Sequence, residues 1–212
     1  MITWQILIPT IPHRHAKLGS LLATLDAQMR PGVSVLVFRD NLAVSYPAKM
    51  QALMDATYAE YVSTLSDDDS VAPDFIPRCL EAMSTRPDQV GFRVRYTEGG
   101  VLQLPVIHSL QCGGWHENGT GYYRDIMHFN PVRRELAQRV RFRGLVCDVE
   151  FAQDLRELGI IRTEVFIDDE ILYYMRDNSD NFHSPRQPMA EEDIPPLPSF
   201  PWCEFINEPA SV

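Results

Sequence analysis

The sequence predicts an α/β fold: a single domain in which helices flank a mixed, mainly parallel sheet. Three observations lead there. Over the first 95 residues, short apolar runs that read as strands alternate with segments whose apolar residues recur at helical spacing. The strand-like runs are apolar almost throughout, the pattern of strands covered on both faces. Each of the first three stops in polar or turn-forming residues: Pro9-Thr10, Asp40-Asn41 and Asp67-Asp68-Asp69. Strands alternating with helices make right-handed βαβ units, and in such sheets ligands bind beyond the carboxyl ends of the strands. The three polar stops are therefore expected to converge on one edge.

Element by element, Trp4 to Pro9 is the first strand, halted by proline, and Leu18, Leu21, Leu22, Leu25 and Met29 mark the first helix. Val33 to Phe38 is a second strand, running into Arg39-Asp40-Asn41, and Met50, Leu53, Met54 and Thr57 follow at helical spacing. Tyr61 to Leu65 is a third strand and enters Ser66-Asp67-Asp68-Asp69. Phe75, Ile76, Cys79, Leu80 and Met83 then mark a helix and Val90 to Tyr96 another strand. Residues 97 to 125, rich in Gly, Tyr and His, read as a long loop with a short hairpin, and loops of that length are usually functional. Pro131 suits the first turn of a helix with Val132, Leu136 and Val140 on one face. Phe151, Ala152, Leu155 and Leu158 form a further helix ended by Gly159, and Arg162 to Ile167 and Ile171 to Met175 read as two strands. From Pro185 onward, Pro188, Pro195, Pro196, Pro198 and Pro201 make a tail that cannot add a helix.

A chain of 212 residues buries roughly 70% of its unfolded surface and needs no disulfide or structural metal to fold. At 45% hydrophobic and 23% charged, it is neither a fibrous repeat nor a disordered chain. There is no run of about 18 apolar residues, and Pro9 and Pro12 come too early for a secretory core. A cytoplasmic protein with no membrane segment is expected. The net charge of −10 argues against a globally basic nucleic-acid surface, although Arg133, Arg134, Arg139, Arg141 and Arg143 form a local cluster. That cluster reads either as a solvated helix face or as a basic groove. Cys79, Cys112, Cys147 and Cys203 show no C-x-x-C pair and are expected as reduced thiols.

Neither a G-x-G-x-x-G nor a P-loop motif follows the first strand, so the dinucleotide and P-loop readings lose their support. The aspartate triplet is more informative. Three adjacent carboxylates repel one another unless a cation is present, and a hard divalent ion takes one or two carboxylates plus phosphates and water. The alternative is an acidic turn capping the next helix. His108, Cys112 and His116 have a spacing that suggests zinc, but with no evident fourth ligand an ordinary loop is expected.

The stretch Ile6-Leu7-Ile8-Pro9-Thr10-Ile11-Pro12-His13-Arg14 resembles the opening strand and loop of GT-A glycosyltransferases, particularly family 2. Asp40 matches an aspartate ending that family's second strand, Ala48 to Leu53 its A-K-x-x-A-L helix, and Leu65 to Pro73 its aspartate motif followed by proline. The four features run in order over residues 4 to 85. The resemblance implies the GT-A (Rossmann-like) fold and a metal-dependent transfer of a sugar from a nucleotide diphosphate sugar to an acceptor hydroxyl, with Mn²⁺ or Mg²⁺. It implies that Pro9, Thr10, Arg14 and Lys49 line the nucleotide-sugar pocket, that Asp40 meets the base and that Asp67 faces the ribose. Asp68 is implied as the principal metal ligand with Asp69 assisting. Ser66 stands where many members have a further aspartate, so which two aspartates hold the ion stays open.

The segments His108 to Leu110, Gly121 to Ile126 and Asn130 to Arg133 resemble small glycosyltransferase-like proteins encoded by phages. By position, Asp148 matches the family's general base, with Glu150 as the fallback and a plain helix cap as the alternative. His183 matches a C-terminal histidine that completes the metal or diphosphate site, and otherwise reads as a surface residue. Residues 1–95 are then the nucleotide-sugar half, 96–178 the acceptor and catalytic half, and 179–212 a proline-rich tail folding back over the site. An inverting reaction is expected, with the acceptor open among a hydroxymethylated base in DNA, a virion protein and a glycan. Two rivals remain: a metal-dependent nucleotidyltransferase, which would lack its Gly-Ser phosphate loop, and a non-catalytic nucleotide-sugar or glycan-binding module.

Overall fold

The computed structural model describes residues 1–144, 146–176 and 187–206. Strand β1 (Trp4–Thr10) leads through a short 3-10 turn into helix α1 (His15–Asp26), and β2 (Val33–Arg39) leads into α2 (Tyr46–Ala56). Strand β3 (Tyr61–Thr64) runs out through the aspartate turn to β4 (Ser70–Val71) and helix α3 (Phe75–Met83). Next come β5 (Gln89–Glu98), β6 (Val101–Leu102), β7 (Val106–His108), β8 (His116–Asn118) and β9 (Gly121–Arg124). The chain continues with β10 (Val132–Arg133), α4 (Arg134–Ala137), α5 (Cys147–Leu158), β11 (Glu164–Arg176) and β12 (Cys203–Ile206).

The strands join in one mixed sheet along the path β12-β2-β1-β3-β10-β5-β7-β9-β8, with β11 beside β5 and β4. Its first half, β12-β2-β1-β3, is parallel throughout; β10 then enters antiparallel between β3 and β5. The unbroken apolar runs follow from burial on both faces. Ile6, Ile8, Val35 and Val37 face one core with Leu18, Leu22, Phe75 and Cys79. Their neighbours Leu7, Leu36 and Phe38 face a second core with Met50, Leu53, Phe151 and Leu155. The period-2 geometry of a strand thus divides one apolar run between two helical layers.

Three expectations are corrected. Pro131 and Val132 do not open a helix: Val132 is drawn into the sheet against Val62 and Gln89, and the helix is only the short α4. The two strands expected over residues 162 to 175 are one, β11, whose register shifts around Glu170 absorb Asp168 and Asp169 as a bulge while pairing with β5 continues. The loop of residues 97 to 125 contains four short strands that extend the sheet beyond β5. That extension is pinned by Glu164, whose carboxylate accepts from Ser109 Oγ at 2.6 Å, Leu110 N at 2.9 Å and Gln89 Nε2 at 2.8 Å. Gly91 makes the approach possible, since a Cβ there would lie 2.6 Å from the His108 carbonyl oxygen. The proline-rich tail, whose described residues form no α-helix, supplies a strand: β12 lies parallel along β2, with Cys203 opposite Val35 and Ile206 opposite Phe38. No helix among the described residues is long and apolar enough to cross a membrane.

Candidate functional site

The parallel register aligns the ends of β1, β2 and β3, and their polar stops meet as expected. Thr10 Oγ1 donates to Asp67 Oδ2 at 2.6 Å, and Arg14, arriving from the 3-10 turn after β1, places Nη1 2.7 Å from Asp67 Oδ1 and 3.1 Å from Asp68 Oδ2. Burial pushes the Asp67 carboxyl up, and Arg14 and Thr10 oppose that shift. Pro9, opposite Phe38 on β2, is buried beneath this edge.

Asp69 differs from its two neighbours. It is buried, and among the described residues neither carboxylate oxygen has a hydrogen-bond partner. Burial and then the charge of Asp68 hold its carboxyl well above the usual range; the Met175 backbone and Ser66 lie near enough to oppose that shift without completing a hydrogen bond. An ionised carboxylate left in this condition is costly, whereas a cation beside it would supply the missing partner. Asp69, and Asp68 beside it through the oxygen that Arg14 does not hold, therefore suit a hard divalent ion such as Mn²⁺ or Mg²⁺, while Asp67 is occupied by Thr10 and Arg14. Among the described residues, no three His, Cys, Asp or Glu side chains converge on one point, so such an ion would draw its remaining ligands from phosphates and water. The triplet opens onto a cleft of about 430 Å³ lined also by Lys17, Thr97 and Arg176.

Asp40 and Lys49 form a buried pair at the end of β2. Lys49 Nζ contacts Asp40 Oδ1 and donates to the Thr10 carbonyl at 3.0 Å, while Asp40 Oδ2 accepts from Val44 N at 2.7 Å. A base meeting Asp40 would thus share a carboxylate already engaged on both oxygens. Asp40→Ala strands a buried ammonium and is expected to cost about 3–5 kcal/mol of stability. Asp40→Ala with Lys49→Met should recover much of it, read from urea midpoints; a parental midpoint for Asp40→Ala would show that the pair is not a strut.

Asp148 lies in the first turn of α5 and lines a second cavity of about 490 Å³ with Tyr96, Trp115, Tyr122, Arg124 and Tyr174. Glu150 turns away: its carboxylate packs on Gly144, where a Cβ would collide with it. His128, also buried near Asp148, is pushed down to about 4 by burial, against the carboxylate's pull, and is neutral near pH 7. Tyr46 keeps 38% of its surface exposed, and desolvation of its hydroxyl end together with the carboxylates of Asp148, Asp69 and Asp67 pushes its phenol up. Arg176 lines both cavities. Tyr46, Tyr174 and Arg176 were not expected from sequence; the only signal was Tyr46-Pro47 opening the A-K-x-x-A-L helix.

The remaining candidates fall elsewhere. His183 lies outside the described residues. His108, in β7, is buried against Phe92 and pushed down to about 3, whereas His116, in β8, is exposed and stacks on Tyr123, so strands rather than a loop carry these two histidines. In the arginine cluster, Arg133 donates to the Arg86 and Pro87 carbonyls, Arg134 to that of Ala59, and Arg143 pairs with Asp154. These arginines serve local structure.

No protein-family model and no curated protein matches the sequence. Solved structures do match by shape. S. aureus TarS 1-349 superposes with a TM-score of 0.63 at 14% identity, covering 82% of this chain and 60% of that one. The same fragment in complex with UDP-GlcNAc gives a TM-score of 0.64 at 12% identity, covering 87% and 62%. Full TarS gives 0.62 at 13% identity, covering 82% of this chain and 37% of its own length. The chain thus spans about 60% of the TarS fragment it matches. At these identities the likeness speaks to architecture, and with the aligned strand ends it establishes that the chain has the GT-A glycosyltransferase fold.

Proposed function

We propose that the chain is a metal-dependent, inverting glycosyltransferase of the family 2 type, moving a sugar from a nucleotide diphosphate sugar to an acceptor hydroxyl in the cytoplasm. The observation that carries the reading is Asp69: a buried carboxylate with both oxygens unpartnered among the described residues, on the strand-end edge where this fold places ligands. A neighbour of the same architecture is solved in complex with UDP-GlcNAc, which supports a uridine nucleotide sugar as donor. Asp68 and Asp69 would hold a divalent ion that, when bound, stabilises the charge developing on the departing diphosphate. Thr10 and Arg14 hold Asp67 in place at the mouth of this edge. Asp148 takes the acceptor proton from the neighbouring cavity. Resemblance in His108 to Leu110, Gly121 to Ile126 and Asn130 to Arg133 supports the small phage-encoded kind.

Incubation with UDP-GlcNAc, Mn²⁺ and a panel of acceptors tests the proposal. Acceptor-dependent release of UDP is expected. Release of N-acetylglucosamine 1-phosphate would identify nucleotidyl transfer, and binding without turnover across the acceptor panel would identify a binding module.

A further inference from the structure

The lining of the cavity beside Asp148 narrows the acceptor chemistry. Three tyrosines from three strands form a continuous aromatic wall. Tyr96 of β5 meets Tyr122 of β9 with centroids 5.9 Å apart and planes at 76°, and Tyr174 of β11 at 5.4 Å and 40°. All three are half-buried, so each retains surface for a ligand. Trp115 lines the same cavity, and its indole Nε1–H is buried with no hydrogen-bond partner among the described residues. Such a donor is costly in a folded chain unless an oxygen reaches it.

The charges discriminate further. Arg124 lies over Trp115 at 4.9 Å and pairs with Glu117 at 3.3 Å, and Arg176 pairs with Glu98 at 3.5 Å. Each arginine is thus matched by a carboxylate, and Asp148 tips the lining to negative. A chain of phosphates would meet repulsion here rather than the basic groove that polyanions need. The lining suits a neutral ligand with an apolar face for the rings and hydroxyls that both donate to carboxylates and accept from indole and guanidinium groups. That is the chemistry of a pyranoside, and about 490 Å³ falls within the range of small-molecule sites.

We infer that this cavity is the acceptor subsite, an assignment that rests on the glycosyltransferase reading, and that the acceptor is a neutral glycoside. Its ring rests on the Tyr96, Tyr122 and Tyr174 wall with one hydroxyl at Asp148. The test is saturation-transfer NMR and titration calorimetry on the full chain without nucleotide. The probes are the methyl glycosides of glucose, galactose, mannose and N-acetylglucosamine, and a single-stranded oligonucleotide carrying hydroxymethyluracil. At least one methyl glycoside should bind. Tyr122→Ala and Trp115→Ala should each weaken it on the order of tenfold, while Tyr122→Phe, which keeps the ring, holds near-parental affinity. UDP affinity in Mn²⁺, measured on the same samples, should stay unchanged and reports that the variants fold. Absence of glycoside binding, indifference to both alanine variants, or tighter binding of the oligonucleotide with the same ring dependence would overturn the assignment. UDP binding reports separately on the donor reading: its loss in the parent chain alongside retained glycoside binding would sink the transferase and leave the sugar site standing.

Discussion

Asp148→Asn is expected to slow transfer by about 10²- to 10⁴-fold while UDP affinity stays near parental. An acceptor hydroxyl has a pKa far above 7, so its attack needs a carboxylate within about 3 Å to take the proton as the new bond forms. Asp148 sits where such a group is held firmly. Phe151, Ala152 and Leu155 bury one face of α5, and the Phe151 ring stacks on Phe142 at 4.4 Å. Leu158, expected on the same face, is 48% exposed, so the anchoring belongs to the first two turns, nearest the carboxylate. Asparagine keeps the size and removes the basic lone pair. His128 does not substitute as base, because its ring is buried against Phe129 and does not line the cavity. Glu150→Gln should be mild, because that carboxylate packs on Gly144. Initial rates of UDP release at saturating donor check both variants, and the opposite ranking would move the base to Glu150.

Asp69→Asn should stabilise the metal-free protein and abolish metal-dependent nucleotide binding. The sign follows from burial. The folded-state carboxyl lies well above its unfolded value, so the folded chain holds this proton more tightly than the unfolded chain. Its contribution to stability is fully present below the unfolded pKa, near 3.8, and is lost as pH rises through the folded value. At neutral pH, replacing the group by a neutral amide should recover about 1–3 kcal/mol, raising Tm by about 2–4 °C per kcal/mol in a chain of this size. The same variant should gain little from UDP plus Mn²⁺, whereas the parent gains about 2.7 kcal/mol when ligand reaches 100 times its dissociation constant. Thermal melts with and without Mn²⁺ and UDP separate the two effects. A variant less stable than the parent without metal would mean that Asp69 has partners the geometry does not give it.

The strand-end edge was legible because it depends on local pattern. Apolar runs on the scale of a strand, each ending in a polar stop, report burial on both faces, and parallel register then aligns Thr10, Asp40 and Asp67 automatically. What local pattern does not carry is the partner of each charge. Nothing in Asp40-Asn41 announces that its carboxylate is bound to Lys49, nor does Asp67-Asp68-Asp69 tell that Arg14 pairs with the first two members and leaves the third. The acceptor wall was illegible for a related reason. Tyr96, Tyr122 and Tyr174 lie far apart in sequence and meet only because β7 and β9 extend the sheet past β5 while β11 returns beside it. Short strands broken by glycine look like loop, and Val132 read as helix because a two-residue insertion between β3 and β5 is decided by its neighbours, not by its own sequence.

The parallel strand β12 also governs the order in which the molecule can be made. The chain's early half cannot close its sheet by itself: Trp202 reaches Asp26 across 176 residues of sequence, and β2 has no partner on its outer side until residues 203–206 arrive. During synthesis, β2 therefore leaves the ribosome as an apolar strand with one edge bare, and stays so until residues 203–206 are translated. Such edges invite pairing with other chains, and contacts this distant in sequence form late and slowly. A ribosome that stops between Arg176 and Cys203 would release a chain with the strand-end and cavity residues all present and its aggregation-prone flank uncovered.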